Sequence, residues 1–468
     1  MGSTLRTNDA SAPFKVLIVG GSYSGLAAAF NLSDLCLGKA ARAAAGYDGQ
    51  GGKGSPGGRG RRGGGGRGGR GGNGGRGGRG GVPETTTDTD ANLTIGFATE
   101  TEPIHAEITL VDERDGFYHV IGSPLVFADK AYADKAWVPY KEIPALQASP
   151  NIKTVHGSVT SVDMASKTAV ITAAAAAGGA ASTVEFDFII VTAGLRRAFP
   201  VVPQSADKVA YLKEVTPHIE AVSTGKDGVL VVGGGAVGIE MAAELKLAQP
   251  HVKVTLAHSR NRLLSSEPLP DNLAEKTLEI LKENGVEVLL EHRLQETREL
   301  DSGSKEVVFT NGHTLRADAV VVAISKSTPS TSFLPAEALD EEGLIKIQPN
   351  LFFPREVPNW DCALAGGDIV QWSGIKRCGR AMHHGYFSAR NAHERMRELT
   401  FGATPQYQIL QPVVPMIAIA LGPSALAYQT GGDLSYGKDV AERFFNDDVG
   451  FEICWRIIGL GAKTEAKV

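Results

Sequence analysis

Apolar positions in this chain gather in short Val- and Ile-rich runs, and none approaches the ~20 residues that a membrane span requires. Residues 14 to 20 read FKVLIVG, and the alanine-rich GLAAAFNLSDLCLG that follows closes on a glycine. That succession predicts a strand, a tight turn and a helix. It recurs at 228 to 248, GVLVVGGGAVGIEMAAELKLA, where another strand-like run, VKVTLAH, comes next. Strands are also predicted at ITLVDERD (108 to 115), FDFIIVTAG (186 to 194), VEVLL (286 to 290) and ADAVVVAIS (317 to 325), and a helix around 271 to 284. The tail from about 400 to 468 reads as a separate strand-and-helix module. Strands alternating with helices place the chain in the α/β class, with two Rossmann-type units and a C-terminal α+β module.

One segment breaks the pattern. Residues 57 to 81, GGRGRRGGGGRGGRGGNGGRGGRGG, belong to a stretch (51 to 81) with twenty glycines in 31 residues. Such a stretch buries too little apolar surface to offset its ordering entropy, so composition predicts a flexible coil spanning about 30 Å. It also changes the charge picture. The net charge is −5, and the stretch holds seven Arg, one Lys and no acid, which leaves −13 for the rest. An acidic body argues against a broad nucleic-acid surface, because phosphate affinity comes mostly from Lys and Arg. The five RGG triplets lack interleaved Phe or Tyr for base stacking, so any nucleic-acid contact there would be weak and non-specific. A second low-complexity run, AAAAAGGAAS (173 to 182), is read as a surface hairpin or a loop excursion.

The four cysteines, Cys36, Cys362, Cys378 and Cys454, form no CxxC pair and no zinc spacing, which suits a reducing compartment and gives no metal site. The N-terminus has no secretory signal pattern, and Arg6 in MGSTLR stands where myristoylation wants Ser or Thr. An intracellular protein, cytoplasmic or peripheral to a membrane, is expected. Residues 443 to 460, RFFNDDVGFEICWRIIGL, have partly helical apolar spacing. They are read either as a membrane-facing helix that admits a lipid quinone or as a helix packed on the body.

The chemistry sits in the glycine turns. In the first, Gly20, Gly21, Ser22, Tyr23, Ser24 and Gly25, the first glycine makes the turn and the last lets helix pack on strand. Ser22 takes the place where a glycine lets backbone approach a pyrophosphate, and its hydroxyl can reach a phosphate instead. The motif asks for an acid about 20 residues on, to hold a ribose. Asp112 lies 87 positions past Gly25, but 65 of these fall in the excursion from 39 to 103, leaving 22. The excursion is therefore read as an insertion between helix and strand, where added length costs little closure entropy. The second turn, Gly233, Gly234, Gly235, Ala236, Val237 and Gly238, matches the pattern fully. Its next strand ends in AHSR, without a ribose-binding acid, and Arg260 there can accept a 2′-phosphate, so NADPH and NADH both stay open.

Two such units, with TAG after the first and AGGD before the tail, resemble the two-dinucleotide flavoprotein oxidoreductases of glutathione-reductase fold. Within them, GGGAVGIEMAAELK with VTLAHS, and GFYHV after LVDERD, resemble the AMID branch, the ferroptosis-suppressor-like relatives of apoptosis-inducing factor. The similarity covers residues 14 to 38 and about 104 to the C-terminus. It implies an FAD-binding domain at 14–205, carrying the insertion at about 39–103 and preceded by a flexible 1–13. It further implies an NAD(P)H-binding domain at 206–335, the second part of the FAD domain at 336–399, and a C-terminal domain at 400–468. Carried over, FAD takes Gly20, Ser22 and Gly25 at its pyrophosphate, Asp112 at its ribose and Asp368 at its ribityl chain. Gly194 of TAG and His384 fall at the flavin as well. NAD(P)H takes Gly233, Gly235 and Gly238, with Glu240 near the nicotinamide. Lys376 matches a lysine at the flavin, where a fixed cation can stabilise the anionic reduced ring. His119, His383 and His384 are acid–base candidates or packed residues. No CxxxxC pair follows the first unit, so electrons are expected to leave the flavin directly for a quinone-like or other small acceptor. A nucleic-acid-associated flavoprotein and an oxidoreductase tailoring a small metabolite are the alternatives. The acceptor and the oligomeric state are not legible.

Overall fold

The apolar run that opens the chain forms β1 (Phe14–Val19), and the alanine-rich segment after it forms α1 (Tyr23–Cys36). The computed structural model describes residues 12 to 42, 102 to 175, 178 to 324 and 327 to 461. The arginine-glycine tract, the first eleven residues, and the last seven fall outside them, as do the expectations of a coil and of a lipidation site. β2 (Ala106–Asp112) lies parallel to β1, from Phe14 opposite Ala106 to Val19 opposite Val111. The backbone N–H of Ile104 donates to the Cys36 carbonyl at 2.9 Å, so the chain returns to the end of the helix it left. Helix, excursion and strand thus follow in the order that the spacing argument requires.

β3 (Ile152–Asp163), β4 (Thr168–Ala173), β5 (Ala181–Glu185) and β6 (Phe188–Val191) complete most of the first sheet. With β11 (Ala363–Ala365) its order is β11, β6, β1, β2, β3, β4, β5. Strands β11 to β3 are parallel, and β3, β4 and β5 run antiparallel. The alanine run at 173 to 182 joins β4 to β5, as the hairpin reading expected. β1 has β2 on one side and β6 on the other, so the order reverses at β1 and opens a crevice at its carboxyl end. All four residues of β6 are buried, which is why it reads as an unbroken apolar run.

The second unit repeats this plan. β7 (Val229–Val232) is followed by α2 (Ala236–Ala248), β8 (Val254–Ala257), α3 (Asp271–Glu283), β9 (Val286–Leu289) and β10 (Ala319–Val322). The sheet order is β9, β8, β7, β10, all parallel, with β7 at the reversal. Short strands Leu195–Arg196 and Thr328–Pro329 pair antiparallel, so the chain leaves and re-enters the first domain side by side.

A 24-residue helix, α4 (Cys378–Phe401), packs on α1. A Cβ on Gly385 would lie 2.1 Å from the Ser24 carbonyl oxygen, so glycine is what lets the two helices meet there. The tail forms an antiparallel sheet of β12 (Met416–Leu421), β13 (Ser424–Gln429) and β14 (Ser435–Gly437), and the helices Lys438–Phe444 and α5 (Phe451–Ile458). The apolar stretch 443 to 460 is therefore not one helix. α5 turns Phe451, Cys454 and Ile458 inward and leaves Glu452 and Arg456 exposed, which is the body-packed reading of that stretch. Among the described residues no helix is long and apolar enough to cross a membrane.

Candidate functional site

The first glycine turn occupies the carboxyl end of β1. Gly20 holds φ at +100°, and a Cβ there would lie 2.6 Å from the Thr192 carbonyl oxygen. One on Gly25 would lie 1.7 Å from the Gly20 carbonyl oxygen, so only glycine lets the helix sit this close to the strand. Ser22 is the N-cap of α1, yet its hydroxyl makes no capping hydrogen bond. Asp112 Oδ2 accepts the Gly21 N–H at 2.5 Å and Oδ1 accepts the Arg114 N–H at 2.7 Å. Burial raises the Asp112 carboxyl above its ordinary range, and the Gly21 and Arg114 bonds pull it partly back. Ser24 Oγ is buried without a partner, and it faces Gly366 and Gly367 of AGGD. A cleared backbone strip, an unspent N-cap hydroxyl, an orphaned buried hydroxyl and a helix N-terminus together suit a diphosphate anion. The site fits FAD.

Asp368 follows in the turn Gly367–Ile369. Burial raises its carboxyl, opposed by the cations of Arg197, Lys376 and Arg380. Lys376 Nζ donates to the Asp368 carbonyl oxygen at 2.5 Å. Burial lowers the Lys376 ammonium from its usual range, while Asp368 holds it up. His384 Nδ1 accepts the Gly367 N–H at 3.2 Å, and its Nε2 lies 3.3 Å from Arg380 Nε. Burial and the neighbouring Arg380 push His384 down to about 3, so it is a neutral acceptor that fixes the AGGD turn. Gly194, at φ +73° after β6, has open space where a Cβ would stand, and its carbonyl accepts from Ser330 N–H in the interdomain connector. Of the residues expected at the flavin, Gly20, Ser22 and Gly25 share one turn, which Asp112 at the end of β2 grips through Gly21, and Lys376 and His384 bond to a second turn, that of Asp368. Ser24 against Gly366 and Gly367 joins the two turns.

The second glycine turn repeats the first. Gly233 is at φ +129°, and a Cβ on Gly238 would lie 1.9 Å from the Gly233 carbonyl oxygen, whereas Gly235 has open space. His258, just past β8, accepts the Gly234 N–H on Nδ1 at 3.1 Å, as Asp112 accepts that of Gly21. Its Nε2 then carries the proton toward Ser265 Oγ at 3.0 Å. Burial lowers the His258 pKa, which keeps this ring neutral. Sequence reasoning missed His258, although it lies 24 positions past Gly234, close to the motif's acid spacing. Arg260 is exposed and donates from Nη1 to the Ser265 carbonyl at 3.0 Å, on the same short loop. Glu240 lies just past the first turn of α2, but its carboxyl is committed, accepting the Ala420 N–H of β12 at 3.1 Å.

Three elements meet at Tyr23. Its hydroxyl lies 3.1 Å from His119 Nδ1, and His119 Nε2 lies 3.0 Å from the Val449 carbonyl, to which it donates. His119 is fully buried and burial pushes it to about 4, so it ties α1 to the C-terminal module as a neutral strut. His383, also lowered to about 4 by burial, packs on the Phe387 ring at 4.1 Å. Around Tyr23 stands an aromatic wall. Phe117 is edge-on to Tyr23 at 5.5 Å, and Phe451 stacks on Trp455 at 5.5 Å with His119 beside it. Behind it, Cys454 is buried and Cys378 packs against the same cluster, although 76 positions of sequence separate them. Among the described residues no group of His, Cys, Asp or Glu could hold a metal ion.

Comparison with known proteins agrees with this geometry. The family model described as pyridine nucleotide-disulphide oxidoreductase matches residues 95 to 385. Oxidoreductase OXR1 of Ajellomyces capsulatus is 40% identical over 463 residues, covering 98% of this chain and 90% of that protein. Ferroptosis suppressor protein 1 of Mus musculus is 26% identical over 315 residues, covering 65% of this chain and 78% of that one. In fold, the chain is similar to the sulfide:quinone oxidoreductase of Aquifex aeolicus, with a TM-score of 0.60 at 12% identity over 96% of this chain and 92% of that one. The resemblance carried by the sequence motifs is the one these relatives bear out.

Proposed function

From the premise that the chain belongs to the pyridine nucleotide-disulphide oxidoreductase family, we propose that it takes a hydride from NAD(P)H and passes the electrons to a small quinone-like acceptor. FAD and NAD(P)H are the cofactors of this oxidoreductase family, and the bound flavin supplies the two-electron chemistry. The chain's own residues bind, orient and exclude water. Gly20, Ser22 and Gly25 hold the diphosphate of FAD at the N-terminus of α1, and Asp112 and Asp368 accept from its sugar hydroxyls. Gly233, Gly235 and Gly238 do the same for NAD(P)H. Lys376, anchored by Asp368, holds positive charge where reduction adds negative charge. With His258 in the acid's place and Arg260 on the same loop, no carboxylate at that position repels a 2′-phosphate, which favours NADPH over NADH.

The observation that supports a small diffusible acceptor is that no CxxxxC pair follows the first unit, so no such pair there relays electrons from the flavin to sulfur. The test is an acceptor panel of short-chain ubiquinone analogues, oxygen and dyes, each run with NADPH and with NADH. Quinone analogues should turn over fastest and NADPH should give the lower KM. A purified protein that takes up no FAD, or a panel in which oxygen outruns every quinone, would sink the reading.

A further inference from the structure

Resting on the flavoprotein reading above, we propose that Arg380 binds an anionic oxygen of the electron acceptor, so that the acceptor is a small quinone carrying an ionised group. Among the described residues two arginines are buried, Arg395 at 7% exposed and Arg380 at 9%, and both lie on α4. Arg395 is matched by two carboxylates, Asp361 at 2.5 Å and Glu398 at 2.6 Å. Arg380 has no such carboxylate among the described residues: its contacts are Nη1 to the Gly374 carbonyl and Nε to His384 Nε2, each at 3.3 Å. A buried charge without a counter-charge is costly, and folded chains rarely keep one unless something pairs with it.

His384 does not supply what the guanidinium lacks. A neutral imidazole has one acceptor nitrogen. Nδ1 of the ring faces the Gly367 N–H at 3.2 Å, so His384 cannot accept from Gly367 and from Arg380 at once. With Gly367 on Nδ1, the proton sits on Nε2 and meets Arg380 Nε donor against donor. One long bond to a carbonyl is then all that holds the charge. Burial lowers the Arg380 guanidinium from its usual range, opposed by Asp368 and reinforced by Arg377.

The surroundings of Arg380 suit an anion from outside the chain. It stands in the first turn of α4, whose N-cap, Arg377, makes no side-chain capping bond and which holds no acid. An open helix N-terminus of that kind attracts negative charge. FAD has its own helix N-terminus for its diphosphate, that of α1, so an anion at α4 is a different group. Access is provided by Gly374, which is exposed and held at φ +82°. A Cβ there would lie 3.4 Å from Arg380 Nη1 and 3.2 Å from the Val413 carbonyl oxygen, so a side chain at this position would cover the guanidinium. The loop is kept in place by the Val413 N–H, which donates to Ser373 Oγ at 2.8 Å. Arg380 thus has its Nε end at the ring that fixes the AGGD turn and its Nη end one backbone layer beneath an exposed loop. An acceptor that approaches the flavin from this loop brings its anionic oxygen to the guanidinium, in the charge-assisted pairing that arginine favours.

The test uses the FAD-loaded full chain at saturating NADPH, with naphthoquinone and naphthoquinone sulfonate as the two acceptors. Arg380→Met should lower the kcat/KM ratio of the sulfonate over the uncharged quinone by about tenfold or more, the scale of one charge-assisted hydrogen bond, and Arg380→Lys should restore part of it. Taking the ratio cancels any general loss of activity. FAD content and flavin bleaching by NADPH should match those of the unaltered chain. A ratio that does not move overturns the assignment. So does Arg380→Met protein that loses FAD or bleaches slowly, because the guanidinium then serves the cofactor. An unaltered chain that takes up no FAD overturns the flavoprotein reading as well. One arm needs no variant: in the unaltered chain, redox-inert naphthalene sulfonate should compete with naphthoquinone, and the uncharged naphthalene sulfonamide should not. Equal inhibition by the two overturns the assignment even if Arg380→Met does not fold.

Discussion

Lys376 is held by a single carbonyl oxygen, that of Asp368, and stands beside a carboxylate flanked by Arg197 and Arg380. Its role on the proposed reading is charge, not shape, and that distinction is testable. Lys376→Met removes the ammonium and keeps most of the stem, so FAD content should hold while flavin reduction by NADPH slows by about a hundredfold, the scale of losing one preorganised charge-stabilising group. Lys376→Arg should restore part of the rate. Stopped-flow bleaching measures both, and an unchanged rate in the Met variant assigns Lys376 to the surface. At this scale the sequence was legible where a motif names a position: Gly20, Gly25, Asp112, Gly233 and Gly238 all stand where a Cβ or a missing acceptor would break the turn. It was illegible where a role is shared across elements. Ser24 acquires its place from Gly366 and Gly385, and His258 substitutes chemically for an acid.

Helix α2 does two jobs along its length. Its first turn carries Gly238, which closes on Gly233, and its next turns carry Glu240 and Glu244, which accept the Ala420 and Gly422 N–H groups at 3.1 and 3.0 Å. The helix thus docks the edge of β12 with the face that a nucleotide unit would otherwise leave polar. Gly238→Ala and Gly25→Ala separate the two units: the first should retain FAD and lose reduction by NADPH, the second should lose FAD. Each costs about 1–3 kcal/mol in thermal unfolding, since the added methyl meets backbone that cannot withdraw. Burial pushes Glu240 from 4.5 up to about 8, with Glu244 adding to the effect. The folded state therefore holds more protons than the unfolded one across that window. Stability from this site is full below pH 4.5 and declines as pH rises toward about 8, by at most about 1.4 kcal/mol per unit. Glu240→Gln keeps an acceptor for Ala420 and has no charge to bury. Its Tm should fall less than that of the unaltered chain between those limits, and parallel Tm curves would show that Glu240 is ionised. Strands β1, β7 and β10 were legible as unbroken apolar runs, whereas α4 was not read as a helix, because its histidines and Gly385 mask the apolar face that packs on α1.

The whole molecule is one plan used twice, with paired connectors at Leu195–Arg196 and Thr328–Pro329 and a long excursion in the first copy alone. The edges of that excursion are anchored. Arg42 lies over the Phe30 ring at 4.2 Å, pairs with Asp34 at 2.7 Å and donates to the Gly459 carbonyl at 2.9 Å, so it pins the exit of α1 to the C-terminal module. On return, Ile104 is buried and bonded to Cys36. Everything the first unit needs for its glycine turn, its helix and its parallel strand lies inside those two anchors. Removing residues 49 to 82 therefore touches neither anchor, and of the 59 residues from 43 to 101 it leaves 25 to span the gap. For a coil of the kind composition predicts, closing the shorter loop is easier by about 0.8 kcal/mol, because closure entropy grows only with the logarithm of length. The shortened chain should keep its full FAD content and its NADPH-driven turnover, and its Tm should stay level or rise slightly. Flavin absorbance per protein and a thermal melt decide it. Loss of flavin would mean that the tract takes part in the first nucleotide site and that the anchors at Arg42 and Ile104 do not mark where the fold ends.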